Sequence, residues 1–433
     1  MRFSNVLWNL LGLGVPLVSA AVAIPVLIQR LGTERFGLLA MAWGLTALSG
    51  LFDLGIGRAT TQAISARLGS NEIAMIPGII RVATRLAFRT GILGGAIVMG
   101  AVLLGLQNNL KFSPGLSGEV FWASLLLATV VPLQSSSAMY RGINEAFEHF
   151  REISYIRAGL GVANFIGPLA ISYFSTGLPW LIGALVASRA IGLYFYVGAA
   201  RHNSEPADGD YNAALSSSQI SEISASLLRF GGWFTVSNII YPLMGQADRW
   251  MIGSLIGVGA VTTYVVPLEL IGQSLTIIGA VTTVAFPSIT NRIQNDRAGT
   301  LSQFRHLLLL MVGIMLVASI SLYVLLPYLL PLWLGSSFPI VGITVGQILA
   351  LGLVPFTFGT MYVVMIHAHH RVDINAKSHI IQAVVFLPSI YWSVTHFGLV
   401  GAAWCWVARN SLDAFITVAW FKNRNHVEKV PQL

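Results

Sequence analysis

The sequence predicts an all-helical integral membrane protein. Of its 433 residues, 55% are hydrophobic and 10% are charged, whereas about 25% of the residues carry charge in an average soluble domain. The mean hydropathy is +0.73. Apolar runs of roughly 20 residues recur from end to end, each long enough to cross a hydrocarbon layer as a helix. They are continuous and do not alternate with polar residues as the strands of a barrel would.

The apolar runs give about twelve predicted transmembrane helices. Most of the 25 lysines and arginines fall in segments on the same side as the N-terminus, and Arg30, Arg35 and Lys111 fall on the opposite side. Because cytoplasmic loops hold most of the basic residues, this asymmetry predicts that both termini are cytoplasmic. The predicted spans are 6–28, 36–57, 84–106, 120–140, 154–174, 178–199, 230–255, 261–286, 307–330, 341–366, 379–397 and 399–420.

A polar segment near the midpoint divides these spans into two sets of six. Its first half is rich in Pro, Gly, Asp and Asn, which is typical of a linker. We therefore predict an N-terminal six-helix bundle (1–200), a cytoplasmic linker (201–229), a C-terminal six-helix bundle (230–420) and a cytoplasmic tail (421–433). Similar short segments recur at offsets of 220 to 222 residues, such as "MYRGI" from Met139 and "MYVVM" from Met361. They predict a parallel repeat with a cavity between two lobes, as in alternating-access carriers.

Charged residues lie inside several predicted spans, where a charge is costly unless it faces protein or water. Arg189 and Arg409 fall near the midplane, and Asp413 is four residues after Arg409, in position to pair with it. Arg189 has no such neighbour, so it is a candidate for an anionic ligand or for a pair with another helix. Asp248 and Arg249 are adjacent, so their side chains diverge by about 100° and need separate partners, structural or functional.

Two other acids are candidates for coupling transport to an ion gradient. Asp53 lies near the inner end of the second span, five residues before Arg58, and Glu269 lies about two turns into the eighth span. A partly desolvated carboxylate with access to water can take up a cation, and a buried hydrogen bond is the alternative role for each. We expect no catalytic residue, no metal site and no bound cofactor, and a proton or sodium gradient is the candidate driving force.

The sequence resembles a known family in three segments. They are "RLGTERFGLLAMAWGLTALSGLFDLGIGRATTQAISARLG" from Arg30, "LLRFGGWFTVSNIIYPLMGQADRWMIGSLIGVGAVTTYVVPLELI" from Leu227 and "FGLVGAAWCW" from Phe397. Together they look like the Wzx-type O-antigen and polysaccharide flippases of the multidrug/oligosaccharidyl-lipid/polysaccharide (MOP) exporter superfamily. The resemblance implies a V-shaped pair of six-helix bundles. It also implies a cationic lumen that accepts an undecaprenyl-diphosphate-linked oligosaccharide from the cytoplasmic leaflet.

This resemblance gives the charged residues expected roles. A diphosphate needs cations in a water-accessible cleft, and the candidates are Arg189, Arg249, Arg409 and the inner-mouth Arg58. The candidates for ion coupling or gating are Asp53, Asp248 and Glu269. The aromatic candidates for stacking on sugar rings, with helix packing or an interfacial position as the alternative, are Trp233, Tyr241 and Tyr264.

The predicted function is therefore translocation of a lipid-linked oligosaccharide across the bacterial inner membrane for surface polysaccharide synthesis. Two alternatives stay open. One is a small-molecule cation antiporter of the same superfamily. A cationic drug needs an acidic cavity, whereas the charges within the predicted spans include three arginines. A membrane polymerase or ligase would carry a large outer loop, whereas the longest predicted one covers 107–119. Expected partners are the lipid-linked substrate, membrane lipid, and a polymerase and chain-length regulator of the same pathway, with no nucleic acid.

Overall fold

The computed structural model describes residues 3–48, 55–69, 73–203, 223, 225, 240–292, 297–368 and 372–424. Throughout these ranges the regular structure is helical, with no strand. Eight helical stretches of the described residues are long and apolar enough to cross a membrane. The chain is therefore an all-helical, multi-pass membrane protein, while the count of twelve spans and the side of the termini stay predictions.

The chain divides into two compact units, Met1–Pro242 and Leu243–Leu433. Most of the predicted linker, 201–229, lies outside the described residues, so the predicted bundle limits stay predictions. The helices of unit 1 are α1 (Phe3–Leu48), α2 (Ile56–Gly69), α3 (Ile76–Leu103), α4 (Ser117–Ala146), α5 (Phe150–Ser172) and α6 (Leu178–Asn203). Those of unit 2 are α7 (240–255), whose first three residues precede the boundary of the unit, α8 (Val258–Arg292), α9 (Arg297–Leu334), α10 (Ile340–Leu351), α11 (Leu353–Ala368) and α12 (Val372–Arg424).

Two glycines divide long helices into two arms each. At Gly32 in α1, φ is 73° and ψ is 170°, and at Gly398 in α12, φ is 59° and ψ is −139°. A residue with a side chain is strained in both conformations, so glycine is the residue that permits these breaks. Both breaks fall in gaps between predicted spans, the first between residues 28 and 36 and the second at residue 398.

Two regions differ from the predicted spans. The predicted second span ends at residue 57, but a separate helix, α2, begins at Ile56 and continues to Gly69. It forms there because apolar residues such as Ile56 and Ile64 are buried and pack into the core of unit 1. The predicted span 341–366 is two helices that meet at Gly352, where the ring of Trp406 packs so closely that a Cβ atom would overlap it.

A close helix crossing holds α2 and α4 together in unit 1. A Cβ atom at Gly57 would lie 2.6 Å from the carbonyl oxygen of Ala138, and one at Gly142 would overlap the carbonyl oxygen of Gly57. The hydroxyl of Thr61 donates a 2.9 Å hydrogen bond to the carbonyl oxygen of Gly142 across the same crossing. Small residues let the helix backbones approach, and in a membrane such packing is a main source of helix association.

Charged side chains tie the helices of unit 1 together at the end that the sequence places on the outer side. Arg35 forms a two-bond ion pair with Glu119, at 2.7 and 3.1 Å, and Glu119 also accepts a 3.0 Å hydrogen bond from the backbone N–H of Leu178. The guanidinium of Arg30 lies 3.7 Å from the ring centre of Tyr173. These contacts connect α1 with α4, with the end of α5 and with the start of α6.

Candidate functional site

Asp248 and Arg249, the adjacent charges of α7, are both buried in unit 2, with relative exposures of 1% and 8%. The hydroxyl of Tyr264 in α8 donates a 2.9 Å hydrogen bond to Asp248 Oδ2, and the backbone N–H of Arg249 donates one of 2.8 Å to Oδ1. The guanidinium of Arg249 instead pairs with Glu269 Oε1 at 2.8 Å. The expectation of separate partners is confirmed, and both partners come from α8.

Arg409 joins this group from α12. Its guanidinium lies 4.9 Å from the ring centre of Phe386 and interacts electrostatically with Asp248. The predicted partner of Arg409, Asp413, accepts a 2.5 Å hydrogen bond from the side chain of Gln382. Unit 2 therefore brings together two arginines and two acids around α7 and α8, so that the charges of this group balance.

We expect Tyr264→Phe to destabilise unit 2. The change removes a hydrogen bond to a buried carboxylate, which leaves Asp248 with one fewer donor at a cost of about 1.5 to 3 kcal/mol. The measurement is thermal unfolding of the purified protein in detergent. Tyr328→Phe is the matched control, because Tyr328 is 74% exposed and its hydroxyl is not required in the interior. Equal melting temperatures for the two variants would contradict the prediction.

Arg189 has a different environment in unit 1. It lies on the face of α6 that carries the buried residues Leu185 and Tyr196, about 16 Å along the axis from the first residue of the helix. Its Nη2 atom is 3.1 Å from the side-chain oxygen of Asn164 in α5, and its Nε atom is buried without a hydrogen-bond partner. Among the described residues no carboxylate lies within ion-pair distance of Arg189, and its observed partner is a neutral amide.

Three arginines from three helices of unit 1 each lie near enough to Tyr196 to interact electrostatically with it. They are Arg141 of α4, Arg157 of α5 and Arg189 of α6, and Glu145 is the one acid among the described residues that does the same. Glu145 lies 3.6 Å from Arg141 in a partly exposed i, i+4 pair, which is a weak interaction. We call Arg141, Arg157, Arg189 and Tyr196 the cationic cluster of unit 1. It has an excess of positive charge, which suits a polyanionic ligand.

The other residues that the sequence singled out for ligand binding or ion coupling lie outside the cationic cluster or outside the described residues. Arg58 is exposed on α2 and is not part of the cationic cluster. Asp53 and Trp233 lie outside the described residues. Tyr264 is fully buried, which favours the packing role over stacking on a sugar, whereas Tyr241 is 39% exposed. Ligand binding and ion coupling by the arginines and acids stay predictions.

Sequence reasoning missed part of the cationic cluster. It counted Arg141 and Arg157 only among the basic residues on the cytoplasmic side, and it gave Asn164 no role. One available signal was the seven-residue spacing of Arg157 and Asn164, which puts them two turns apart on one face of α5. The convergence with Arg141 and Arg189 depends on how α4, α5 and α6 pack, which the sequence pattern does not contain.

The chain is similar to proteins of surface polysaccharide synthesis. Residues 3–293 match the family described as polysaccharide biosynthesis protein. The chain is 27% identical over 430 residues to a putative O-antigen transporter of Shigella flexneri, with 97% of each protein covered. It is 24% identical over 404 residues to the lipopolysaccharide biosynthesis protein WzxC of Escherichia coli (strain K12), covering 92% of this chain and 76% of that protein.

Solved structures of transporters share the fold. A multidrug resistance MATE family transporter of the MOP superfamily, in an inward-facing conformation, has a TM-score of 0.77 at 17% identity, with 96% of this chain and 97% of that chain covered. A MOP superfamily transporter from Pyrococcus furiosus has a TM-score of 0.65 at 14% identity, with 96% and 94% covered. The expected MATE/MOP-like fold is confirmed, and at these identities the likeness concerns the fold alone.

Proposed function

Because this chain belongs to the family of polysaccharide biosynthesis proteins, we propose that it is a flippase for a lipid-linked oligosaccharide. The substrate is an oligosaccharide repeat unit joined to undecaprenyl diphosphate, and it moves from the cytoplasmic to the outer leaflet of a bacterial inner membrane by alternating access. The product serves the synthesis of a surface polysaccharide such as O-antigen, capsule or exopolysaccharide. A polymerase and a chain-length regulator are the expected partners downstream.

The observation that carries the proposal is the cationic cluster of unit 1. A diphosphate keeps its negative charge while it crosses the hydrocarbon region, so it needs cations that are not already neutralised. Arg157 is exposed and Arg189 is bonded to an amide, while Tyr196 is within electrostatic range of both. The cluster thus offers positive charge at one end of α5 and deeper along α6, with the lipid chain remaining in the bilayer.

The charges of unit 2 argue against a cation as the main substrate. Asp248 is bonded to Tyr264, Glu269 is paired with Arg249, and Asp413 accepts a hydrogen bond from Gln382. Each of these three carboxylates, which lie within the predicted spans, already has a hydrogen-bond or ion-pair partner. A cationic drug would have to displace those partners, whereas a diphosphate meets arginines whose charge is available in unit 1.

The test is a deletion strain, with and without the wild-type gene, in which surface polysaccharide and lipid-linked repeat units are both measured. We expect the deletion to abolish surface polymer and to accumulate single repeat units that face the cytoplasm. Re-expression should restore both. If the units reach the outer leaflet and merely fail to polymerise, the proposal is wrong and an enzyme of the next step is the better assignment.

A further inference from the structure

Asn164 of α5 is the side chain that holds Arg189. Its oxygen accepts the 3.1 Å hydrogen bond from Arg189 Nη2, and both residues are half-buried at the packing of α5 against α6. An asparagine has nearly the shape of an aspartate but carries no charge. An aspartate at this position would form an ion pair with Arg189 and would neutralise its charge.

Three other arginines of the described residues pair with acids. In unit 1, Arg35 pairs with Glu119, and Arg141 pairs with Glu145. Arg249 of unit 2, which is also buried within its span, pairs with an acid of α8. Arg189 differs from these three arginines because its partner supplies a hydrogen bond without supplying negative charge. Its Nε donor is buried without a hydrogen-bond partner, a feature that it shares with Arg249.

We propose that Asn164 is a positioning residue that fixes the guanidinium of Arg189 while leaving its charge and its Nε donor available for a phosphate group of the substrate. Because Asn164 adds no negative charge, this part of unit 1 stays positively charged and accepts an anionic ligand. A guanidinium held at one nitrogen still presents its other donors, which can form two parallel hydrogen bonds with phosphate oxygens. The inference rests on the proposed function and specifies which ligand group Arg189 receives.

The test uses the purified full-length protein in nanodiscs, with inorganic pyrophosphate as the probe and farnesyl diphosphate as a second probe. The variants are Asn164→Asp, Asn164→Leu and Arg189→Ala. Asn109→Asp is the matched control, because it makes the same chemical change at an exposed position in the segment between α3 and α4. Binding and the melting temperature are measured for each variant. Tighter binding of farnesyl diphosphate than of pyrophosphate would identify a lipid-linked diphosphate as the source of the ligand.

We expect Asn164→Asp to weaken diphosphate binding by about tenfold or more, because the new carboxylate occupies and neutralises Arg189. The same change should maintain or raise the melting temperature, since it completes an ion pair. Asn164→Leu should weaken binding less, because the charge of Arg189 remains. In an Arg189→Ala background, Asn164→Asp should have no further effect on binding. The Asn109→Asp control should bind like the wild type.

Three results would overturn the inference without touching the proposed function. The first is wild-type affinity in Asn164→Asp, and the second is no diphosphate binding by the wild type. The third is a loss in Asn164→Leu as large as in Asn164→Asp, which would mean that binding depends on the hydrogen bond and not on the absence of a negative charge. The proposed function fails on a separate measurement, namely repeat units that reach the outer leaflet in the deletion strain.

Discussion

Arg189→Ala is expected to lower transport by roughly 30- to 1,000-fold while the protein still folds. The change removes the cation that α6 contributes to the cationic cluster, and with it a charge-assisted contact to the substrate worth about 2 to 4 kcal/mol. The fold should tolerate the loss, because the partner left behind is the neutral amide of Asn164 and no buried carboxylate loses its cation.

Arg189→Lys separates charge from geometry at the same position. Lysine keeps the positive charge but loses the planar fork that holds Asn164 and a phosphate oxygen at the same time, so we expect intermediate activity. Surface polysaccharide and the amount of folded protein are measured together for each variant. Arg151→Ala is the matched control, because Arg151 is exposed on α5 and contacts Tyr155, outside the cationic cluster.

Full surface polysaccharide in Arg189→Ala at a normal protein level would exclude Arg189 from substrate binding. The comparison with Arg249 makes this outcome informative. Arg249 is buried beside Asp248 and paired with Glu269, so its removal leaves acids unbalanced and threatens the fold of unit 2. A transport defect without a folding defect is therefore easier to interpret at Arg189 than at Arg249.

The fold was predictable because a membrane imposes a length on its helices. Apolar runs placed the helical ranges, and two gaps between runs coincide with the breaks at Gly32 and Gly398. The helix α2 was missed because it is stabilised by the packing of residues such as Ile56 and not by a long apolar run. The break at Gly352 was missed although the sequence carries a signal for it, since Pro355 lacks the backbone N–H that would bond the carbonyl oxygen of Leu351.

The candidate site was predictable in part for a related reason. A charge within an apolar run must have a partner, so the need for partners of Asp248 and Arg249 was clear from their adjacency. The identity of those partners, Tyr264 and Glu269, follows from the way α8 packs on α7. The convergence of the three arginines of the cationic cluster has the same origin, since it arises from helix packing and not from spacing along one helix.

Gly142→Ala is expected to reduce the amount of folded protein severely. A Cβ atom there overlaps the backbone carbonyl of Gly57, and a backbone atom cannot rotate aside as a side chain does. The crossing of α2 and α4 must widen, which also weakens the hydrogen bond from Thr61 to the carbonyl oxygen of Gly142. We expect a loss of about 3 kcal/mol or more, enough to unfold a marginally stable membrane protein.

Gly100→Ala is the control for this change, because no atom lies within 4 Å of its added Cβ and alanine favours a helix. Size-exclusion profiles and melting temperatures in detergent distinguish the two variants. Gly142→Ala should lower protein level and surface polysaccharide together, whereas Arg189→Ala should lower surface polysaccharide alone. If Gly142→Ala folds as well as Gly100→Ala, the close approach of α2 and α4 does not govern the stability of unit 1.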